Sequence, residues 1–251
     1  MNPIVLYKKE GETPLECINR AKEEGKIAKD QKATYAGRLD PMAEGLLLVL
    51  TGDLVHKKDE YIKLPKEYEV EVLVGVSTDT GDVLGKIQNK SSCLEYGIQN
   101  STKQIQEILE KCVGIFEEEY PNYSSKTVEG KPLFSLARLG EIFHIKVPKH
   151  TVTIHSIILE NVIMRNLGEV AGESIERIKK VKGDFRQEEI TSLWEKIGKD
   201  HKDEEVSIIK IKVACESGAY MRVLAEKIGK LLGSPALALS IKRTKVGEYS
   251  F

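Results

Sequence analysis

The chain lacks any apolar run long enough to cross a membrane as a helix. Such a helix needs roughly 20 consecutive apolar residues, and no stretch of this sequence approaches that length. The first residues, MNPIVLYKKEGETP, carry acidic and basic side chains where a secretory signal would need a longer apolar region. We therefore expect a cytoplasmic protein.

Cysteine is scarce, and its spacing fits neither a disulfide framework nor a zinc site. The four cysteines are scattered and form no C-x-x-C pair: Cys17, Cys93, Cys112 and Cys215. The five histidines show no H-E-x-x-H spacing. These patterns predict reduced thiols in a cytosolic protein and no metal ion.

The chain also lacks a surplus of positive charge. Its formal net charge is −1 and its pI is about 6.6, whereas nucleic-acid-binding domains are usually basic. Lysine and arginine are nevertheless clustered at 146–150, 178–182 and 241–245. Such runs are more often solvated faces than RNA grooves, but a local basic channel remains compatible with the total charge.

The order of predicted elements indicates an α+β fold with a central mixed, mostly antiparallel sheet flanked by helices. Thr13 and Glu16 form a capping box around Pro14 and predict a helix. Alternating apolar residues predict one strand through Tyr68–Val76. Further helices are predicted at 101–112, 131–140, 188–197 and 220–233, and strands at 151–164 and 206–215. The elements follow neither regular βαβ alternation nor an all-β order.

The polar segment 167–205 is too short to form a core of its own, so we interpret it as an insertion into one domain. This segment, with the single tryptophan Trp194, is predicted to hold one helix, around Glu188–Ile197. The whole chain, 1–251, is expected to be a single domain.

The stretch TYAGRLDPMAEGLLLVLTG places a carboxylate beside an apolar run. Leu46–Leu50 predict a buried strand or a buried helix end. A carboxylate that close to a core must be paired or hydrogen-bonded to stay ionised. Asp40 is therefore either a turn residue ahead of Pro41 or a working carboxylate at the edge of the core.

Four segments, in order, resemble the TruB-type tRNA pseudouridine synthases. They are AGRLDPMAEGLLLVLTG, KEYEVEVLVGVSTDTGDVLGKI, YSSKTVEGKPLFSLARLGE and ESGAYMRVLAEKIGKLLGSPALALSIKRTKVG. The G-x-L-D-P motif with its apolar run is the most specific of the four. The resemblance implies the pseudouridine-synthase fold and an enzyme, an isomerase, that converts a T-loop uridine of tRNA, conventionally uridine-55, to pseudouridine.

The resemblance also implies roles for individual residues and no cofactor. Asp40 matches the family's catalytic aspartate, and Arg222 matches the arginine that keeps this carboxylate charged. Tyr68 matches the active-site tyrosine, which can stack on the uracil or help to remove the C5 proton. Taken alone, Arg222 would be read as a surface arginine and Tyr68 as a core tyrosine. Tyr220 matches a second tyrosine, which is expected near the Asp40–Arg222 pair, and Ile241 matches an apolar residue expected against the base. Lys8 and Gly11 match an N-terminal K-P-x-G motif of the family more poorly, because Lys9 replaces its proline.

Three departures from the family pattern concern RNA recognition. Tyr35 stands where the family usually has a histidine that packs against the extruded RNA. Arg38 replaces a small residue, and the resulting GRLD, together with EGLLL, resembles the motif of the RsuA and RluA branches. The RNA-binding PUA domain that often follows the catalytic domain is not expected in this chain. The expected partner is the T arm of tRNA, bound by a monomer. A synthase for ribosomal or other RNA and an RNA-binding tRNA-folding chaperone are the alternatives.

Overall fold

The computed structural model describes residues 2–91 and 102–251. Its strands are β1 (Ile4–Lys8), β2 (Ala33–Ala36), β3 (Ala43–Thr51), β4 (Lys66–Val74), β5 (Val76–Thr78), β6 (Ile87–Lys90), β7 (Gly114–Glu119), β8 (Thr127–Val128), β9 (Lys131–Pro132), β10 (Lys149–Asn166), β11 (Glu205–Cys215), β12 (Ala236–Val246) and β13 (Tyr249–Ser250). Its α-helices are α1 (Pro14–Glu23), α2 (Lys58–Ile62), α3 (Thr102–Glu110), α4 (Leu133–Arg138), α5 (Leu167–Ile178), α6 (Gln187–Asp200) and α7 (Met221–Leu232). Short 3₁₀ helices cover Gly52–Lys57 and Glu141–His144.

A nine-stranded sheet forms the centre of the molecule. Seven strands follow the order β1-β3-β12-β4-β11-β10-β7, while β2 pairs with β3 and β13 pairs with β12. Every pair among these strands is antiparallel except β3–β12, where Ile241 lies opposite Ala43 in a parallel register. The predicted α+β class with a mixed, mostly antiparallel sheet is confirmed.

The apolar run Leu46–Leu50 is a strand buried on both faces. Leu46, Leu48 and Leu50 pack into one cluster with Ala36 and Val246, while Leu47 and Val49 pack into another with α1. A strand buried on both faces needs apolar side chains at every position, so the run contains no alternation. Of the two predictions for this segment, the buried strand is correct.

The first helix begins where its capping box predicts. The Thr13 side chain accepts a hydrogen bond from the Glu16 amide at 3.3 Å, and the Glu16 carboxylate accepts one from the Thr13 amide at 2.7 Å. These two bonds satisfy amides that have no partner within the helix.

The prediction of one continuous strand through Val76 is wrong at its end. Strand β4 ends at Val74, and Val76 begins β5, which pairs with β6 in a separate two-stranded sheet. Gly75 has φ of 107°, a backbone conformation that breaks the pleat and that side-chain-bearing residues rarely adopt.

The other predicted elements are present with shifted ends, and parts of two predictions lie outside the described residues. The helix expected at 101–112 is α3, Thr102–Glu110, and residue 101 itself is not described. Cys93 is likewise outside the described residues, whereas Cys17, Cys112 and Cys215 are free and buried. Among the described residues, no helix is both long and apolar enough to cross a membrane.

The 167–205 segment contains two helices, although the sequence predicted only the second. Both α5 and α6 bury apolar side chains in a cluster shared with the sheet residues Leu73 and Leu237. Trp194 is fully buried, and its indole Nε1 donates a hydrogen bond to the Val83 carbonyl at 3.1 Å. The segment therefore packs onto the central sheet and shares its core.

Candidate active site

An arginine and an aspartate that lie 182 residues apart meet at the edge of the sheet. Asp40 lies in the turn between β2 and β3, where its carbonyl accepts a hydrogen bond from the Ala43 amide at 3.0 Å. Arg222 lies in the first turn of α7, and its Nε donates to Asp40 Oδ2 at 2.8 Å. The Arg222 side chain is 3% exposed, but that of Asp40 is 34% exposed. The carboxylate is thus open to solvent on one side and held by a buried cation on the other.

Two further segments fix the Arg222 guanidinium. One terminal nitrogen donates to the Thr80 carbonyl, and the other donates to the Tyr123 carbonyl at 3.1 Å. A buried guanidinium needs acceptors for its N–H groups, and these carbonyls leave Nε free for Asp40. The orientation of Arg222 consequently depends on the turn after β5 and on the loop that follows β7.

Asp82 is a second carboxylate beside Arg222 that the sequence analysis missed. Its Oδ2 lies 3.8 Å from Arg222 Nε, and its Oδ1 accepts hydrogen bonds from the Thr80 hydroxyl at 2.8 Å and the Leu84 amide at 3.0 Å. Burial raises the pKa of Asp82, although Arg222 opposes this shift. Asp82 lies in STDTGDVLG, a cluster of turn-forming residues that does not mark any one of its polar side chains as buried.

Lys8 and Gly11 hold the backbone immediately after Asp40. The fully buried Lys8 ammonium donates to the carbonyls of Ala43 at 2.5 Å and Pro41 at 3.3 Å. The Gly11 amide also donates to the Pro41 carbonyl, at 2.9 Å. Burial lowers the pKa of Lys8 to about 8, and the negative charge of Asp40 opposes that shift. Both residues of the poorer motif match therefore contact the Asp40 turn.

Arg243 supports the same turn from the interior and was also missed. It is 1% exposed, and its guanidinium donates to the carbonyls of Leu46 at 2.8 Å and Gly37 at 3.1 Å. The sequence analysis placed Arg243 in a basic run at 241–245. Side chains alternate along a strand, so in β12 Arg243 points inward and Lys242 points outward to pair with Glu69. A register shift between Arg243 and Lys245 interrupts this alternation, and Lys245 pairs with Glu67 on the exposed side.

Two tyrosines lie within the electrostatic influence of Asp40. Tyr68 in β4 is 9% exposed and packs in a cluster with Leu39 and Ile241. Burial raises the pKa of Tyr68, and Asp40 adds to that shift while Arg243 opposes it. Burial, and then the charge of Asp40, likewise raise the pKa of Tyr220.

Tyr220 caps the start of α7 and belongs to a small aromatic cluster. Its ring makes edge-to-face contacts with Tyr120, at 6.3 Å between centroids, and with His150, at 6.1 Å. Tyr120 and His150 stack on each other at 3.9 Å. Such contacts restrict ring motion, so Tyr220 is held beside Arg222.

The contacts that the structure shows for Tyr35 and Arg38 do not include the Asp40 side chain. Tyr35 pairs with Val49 in the sheet, packs against the α1 cluster and lies 5.3 Å below the Lys58 ammonium. Arg38 is exposed in the turn, and its carbonyl lies 3.5 Å from an Arg243 nitrogen. Both remain predictions for contacts with RNA.

The arrangement suits chemistry at an electron-poor carbon. A partly exposed carboxylate beside a permanently charged guanidinium can stabilise a cation or act as a nucleophile. In residues 2–91 and 102–251, no group of three or more His, Cys, Asp or Glu side chains is placed to hold a metal ion.

Comparisons with known proteins agree with the resemblance of the four sequence segments. A family model described as TruB family pseudouridylate synthase (N terminal domain) matches residues 25–171, more than half of the chain. The tRNA pseudouridine synthase B of Bacillus licheniformis is 29% identical over 247 residues, which cover 98% of this chain and 65% of the relative. That of Parabacteroides distasonis is 28% identical over 218 residues, which cover 86% of this chain and 72% of the relative.

Solved structures share the fold at low sequence identity. A chain of a Cbf5-Nop10-Gar1 complex superposes with a TM-score of 0.55 at 17% identity, over 98% of this chain and 49% of that one. A chain of an H/ACA RNP bound to a substrate RNA containing 2'-deoxyuridine gives a TM-score of 0.53 at 15% identity, over 98% and 48%. The chain therefore spans about half of these structures and about two thirds of the curated relatives.

Proposed function

Because the chain belongs to the TruB family of pseudouridylate synthases, we propose that it isomerises a uridine in the T loop of tRNA to pseudouridine. The curated relatives that it matches are named tRNA pseudouridine synthase B. We assign the catalytic carboxylate to Asp40, the positioning of that carboxylate to Arg222, and contacts with the uracil to Tyr68, Tyr220 and Ile241.

The observation that carries the proposal is the 2.8 Å contact between a buried arginine and a partly exposed aspartate. A carboxylate at 34% exposure can reach a substrate, and Arg222 is held by two backbone carbonyls so that its Nε faces that carboxylate.

The reaction breaks the bond between ribose C1′ and uracil N1 and forms a bond between C1′ and C5 of the same uracil. C5 loses a proton and N1 regains one, so the product is an isomer of the substrate. Positive character develops at C1′ when the base detaches, as in glycoside cleavage. Asp40 would stabilise that charge or attack C1′, and Tyr68 would stack on the uracil and assist removal of the C5 proton.

The target base has to leave a folded T loop before it reaches Asp40. Base eversion costs a few kcal/mol, and lysine and arginine contacts with phosphates offset that cost. The exposed Arg38 beside the Asp40 turn and the Tyr35 ring five residues before it are our candidates for RNA contacts. We further propose that the chain acts as a monomeric catalytic domain in which 167–205 is an insertion.

Incubation with an unmodified tRNA transcript that carries tritium at uracil C5 tests the proposal. Wild-type protein should release tritium, and a transcript in which the T-loop uridine is replaced by cytidine should lose that release. Asp40→Asn keeps the size of the side chain and removes its charge, so release should stop while tRNA binding changes by less than about threefold.

Two outcomes would redirect the assignment. Release from ribosomal RNA but not from tRNA would support the alternative target class. Normal release by Asp40→Asn would contradict the role of Asp40, and restoration of a tRNA-folding defect by the same variant would support a chaperone role.

A further inference from the structure

The 167–205 segment reaches the two loops that orient Arg222. Arg186, between α5 and α6, places its guanidinium against Asp79 as a fork, at 2.6 Å from Oδ2 and 3.2 Å from Oδ1. The same Arg186 donates to the Tyr123 hydroxyl at 2.9 Å and lies 4.8 Å from the centre of the Tyr123 ring. The Tyr123 hydroxyl in turn donates to Asp79 at 3.0 Å and closes the triangle.

The residues that Arg186 joins are the neighbours of the acceptors of Arg222. Thr80, whose carbonyl binds Arg222, directly follows Asp79, and the second carbonyl belongs to Tyr123 itself. Apart from Arg186, these two loops are joined by the Tyr123–Asp79 hydrogen bond and by Arg222 itself. Arg186 therefore connects both loops to a helix pair that is anchored in the core.

The backbone around Arg186 is shaped for this contact. Arg186 has φ of 64°, which is uncommon for a residue with a side chain, and Gln187 holds the loop by donating to the carbonyls of Gly183 at 2.7 Å and Val181 at 3.1 Å. The adjacent Asp184 carbonyl accepts a hydrogen bond from Arg138 at 2.6 Å. A bidentate pair with both side chains mostly buried is stronger and more directional than an exposed pair.

A second contact joins this segment to the peptide that supports Asp40. Arg177 Nε donates to Glu10 at 2.8 Å. A side chain on the neighbouring Gly11 would place its Cβ 2.7 Å from Lys180 Cβ, and Gly11 has φ of 87°. The Gly11 amide binds the Pro41 carbonyl, next to Asp40. The 167–205 segment therefore contacts the backbone that supports Asp40 as well as the loops that orient Arg222.

We propose that Arg186 is a positioning residue for the pseudouridine synthase reaction: through Asp79 and Tyr123 it holds the two carbonyls that aim Arg222 at Asp40. This inference rests on the proposed function. Arg186 does not touch Asp40, so its removal should slow the chemical step and leave the affinity for tRNA unchanged.

The test compares Arg186→Gln with Arg165→Gln. Arg165 is the matched control because it also forms a bidentate pair with the 167–205 segment, at 2.8 Å and 2.7 Å from the Glu173 oxygens. The hydrogen-bond partners of its side chain are Glu169 and Glu173, neither of which belongs to the loops around Arg222. Tritium release, the Kd for tRNA and the Tm are measured for both variants. Arg186→Gln should lower kcat between about tenfold and a hundredfold, since small displacements of catalytic groups have effects of this size, with KM and Kd within about twofold. Arg165→Gln should match wild type in kcat. Arg186→Gln should lower the Tm more than Arg165→Gln, because Asp79 is more buried than Glu173.

Arg186→Lys keeps the charge without the fork, so its kcat should lie between those of wild type and Arg186→Gln. Equal kcat for Arg186→Gln and Arg165→Gln would overturn the proposal, as would a defect in Kd alone, which would indicate an RNA contact instead. The NMR signal of the Arg222 Nε–H provides a readout that needs no activity. This signal should shift in Arg186→Gln and stay unchanged in Arg165→Gln. An unshifted signal in Arg186→Gln would refute the positioning role. This readout is independent of the proposed function, whose failure would show instead as no tritium release by the wild-type protein.

Discussion

Arg222 lies between two aspartates that differ in distance, burial and surroundings. Asp40 contacts Arg222 Nε at 2.8 Å and is 34% exposed, whereas Asp82 lies at 3.8 Å and is 7% exposed. Asp82 receives two hydrogen bonds from its own turn, while Asp40 depends on the arginine. The comparison indicates that exposure, more than proximity to charge, separates a carboxylate that can meet substrate from one that completes the structure.

The largest effect should follow loss of the cation that both aspartates share. Arg222→Lys keeps one positive charge, but a single ammonium cannot bind Asp40 and the two carbonyls with the same geometry. We expect turnover to fall by about a hundredfold or more, and the free energy of unfolding to fall by about 2 kcal/mol because buried acceptors lose their donors. Tritium-release kinetics and urea unfolding measure both. Arg165→Lys is the control, and retention of half the wild-type turnover by Arg222→Lys would contradict the assignment.

Asp82→Asn should have an intermediate effect, in contrast to Asp40→Asn. Asparagine Oδ1 can still accept both hydrogen bonds of the turn, so the turn should persist. Turnover should fall by about tenfold because Arg222 loses the second charge that holds it. Activity as low as that of Asp40→Asn would show that the two carboxylates act as one unit.

The stability of Asp82→Asn should depend on pH in a defined direction. Because burial raises the pKa of Asp82 above its unfolded value, the folded state binds its proton more tightly. The contribution of Asp82 to stability is therefore present at low pH and is lost as the pH rises through the folded pKa. Relative to Asp82→Asn, the wild type should therefore lose unfolding free energy from about pH 4 upward. Urea unfolding at a series of pH values measures this. If the difference in unfolding free energy between the two proteins is constant with pH, the burial effect on Asp82 is contradicted.

Lys8→Met tests the support beneath Asp40 and should affect stability more than chemistry. The variant should unfold with about 2 kcal/mol less free energy, because carbonyls in the Asp40 turn lose their donor. The pKa of Lys8 is about 8 in the folded state, against 10.5 for the free side chain. Between these two pKa values the unfolded state binds more protons than the folded state. The unfolding free energy of the wild type should therefore rise with pH relative to that of Lys8→Met across this window. A flat difference between about pH 8 and about 10 would contradict it.

Arg38→Ala should produce the smallest change, although Arg38 is two residues from Asp40. Its side chain is exposed, so the expected effect is on RNA affinity and not on turnover. The slope of log Kd against log salt concentration should decrease by about one, which corresponds to one lost phosphate contact. An unchanged slope with altered kcat would assign Arg38 to the chemistry.

Two features that the sequence analysis missed, Asp82 and Arg243, were visible only as members of common patterns. Asp82 belongs to a turn cluster, and Arg243 belongs to a basic run, and both patterns usually face solvent. Helix α5 was missed because its exposed face is highly charged, and the 167–205 segment therefore looked polar as a whole. Burial of these groups results from packing against distant strands, which no local pattern reports.

The sequence by itself determined the local elements and the family. The capping box set the start of α1, and the unbroken apolar run produced a strand buried on both faces. Four ordered motifs identified the TruB family. These signals could be read from the sequence because each capping box, apolar run or motif consists of residues close together in the chain. Only the tertiary structure decided which carboxylate stays open, which arginine lies beneath the Asp40 turn, and that Arg186 joins two loops around Arg222. Those contacts connect residues 107 to 206 positions apart, and pairing over such separations depends on how the sheet and helices pack.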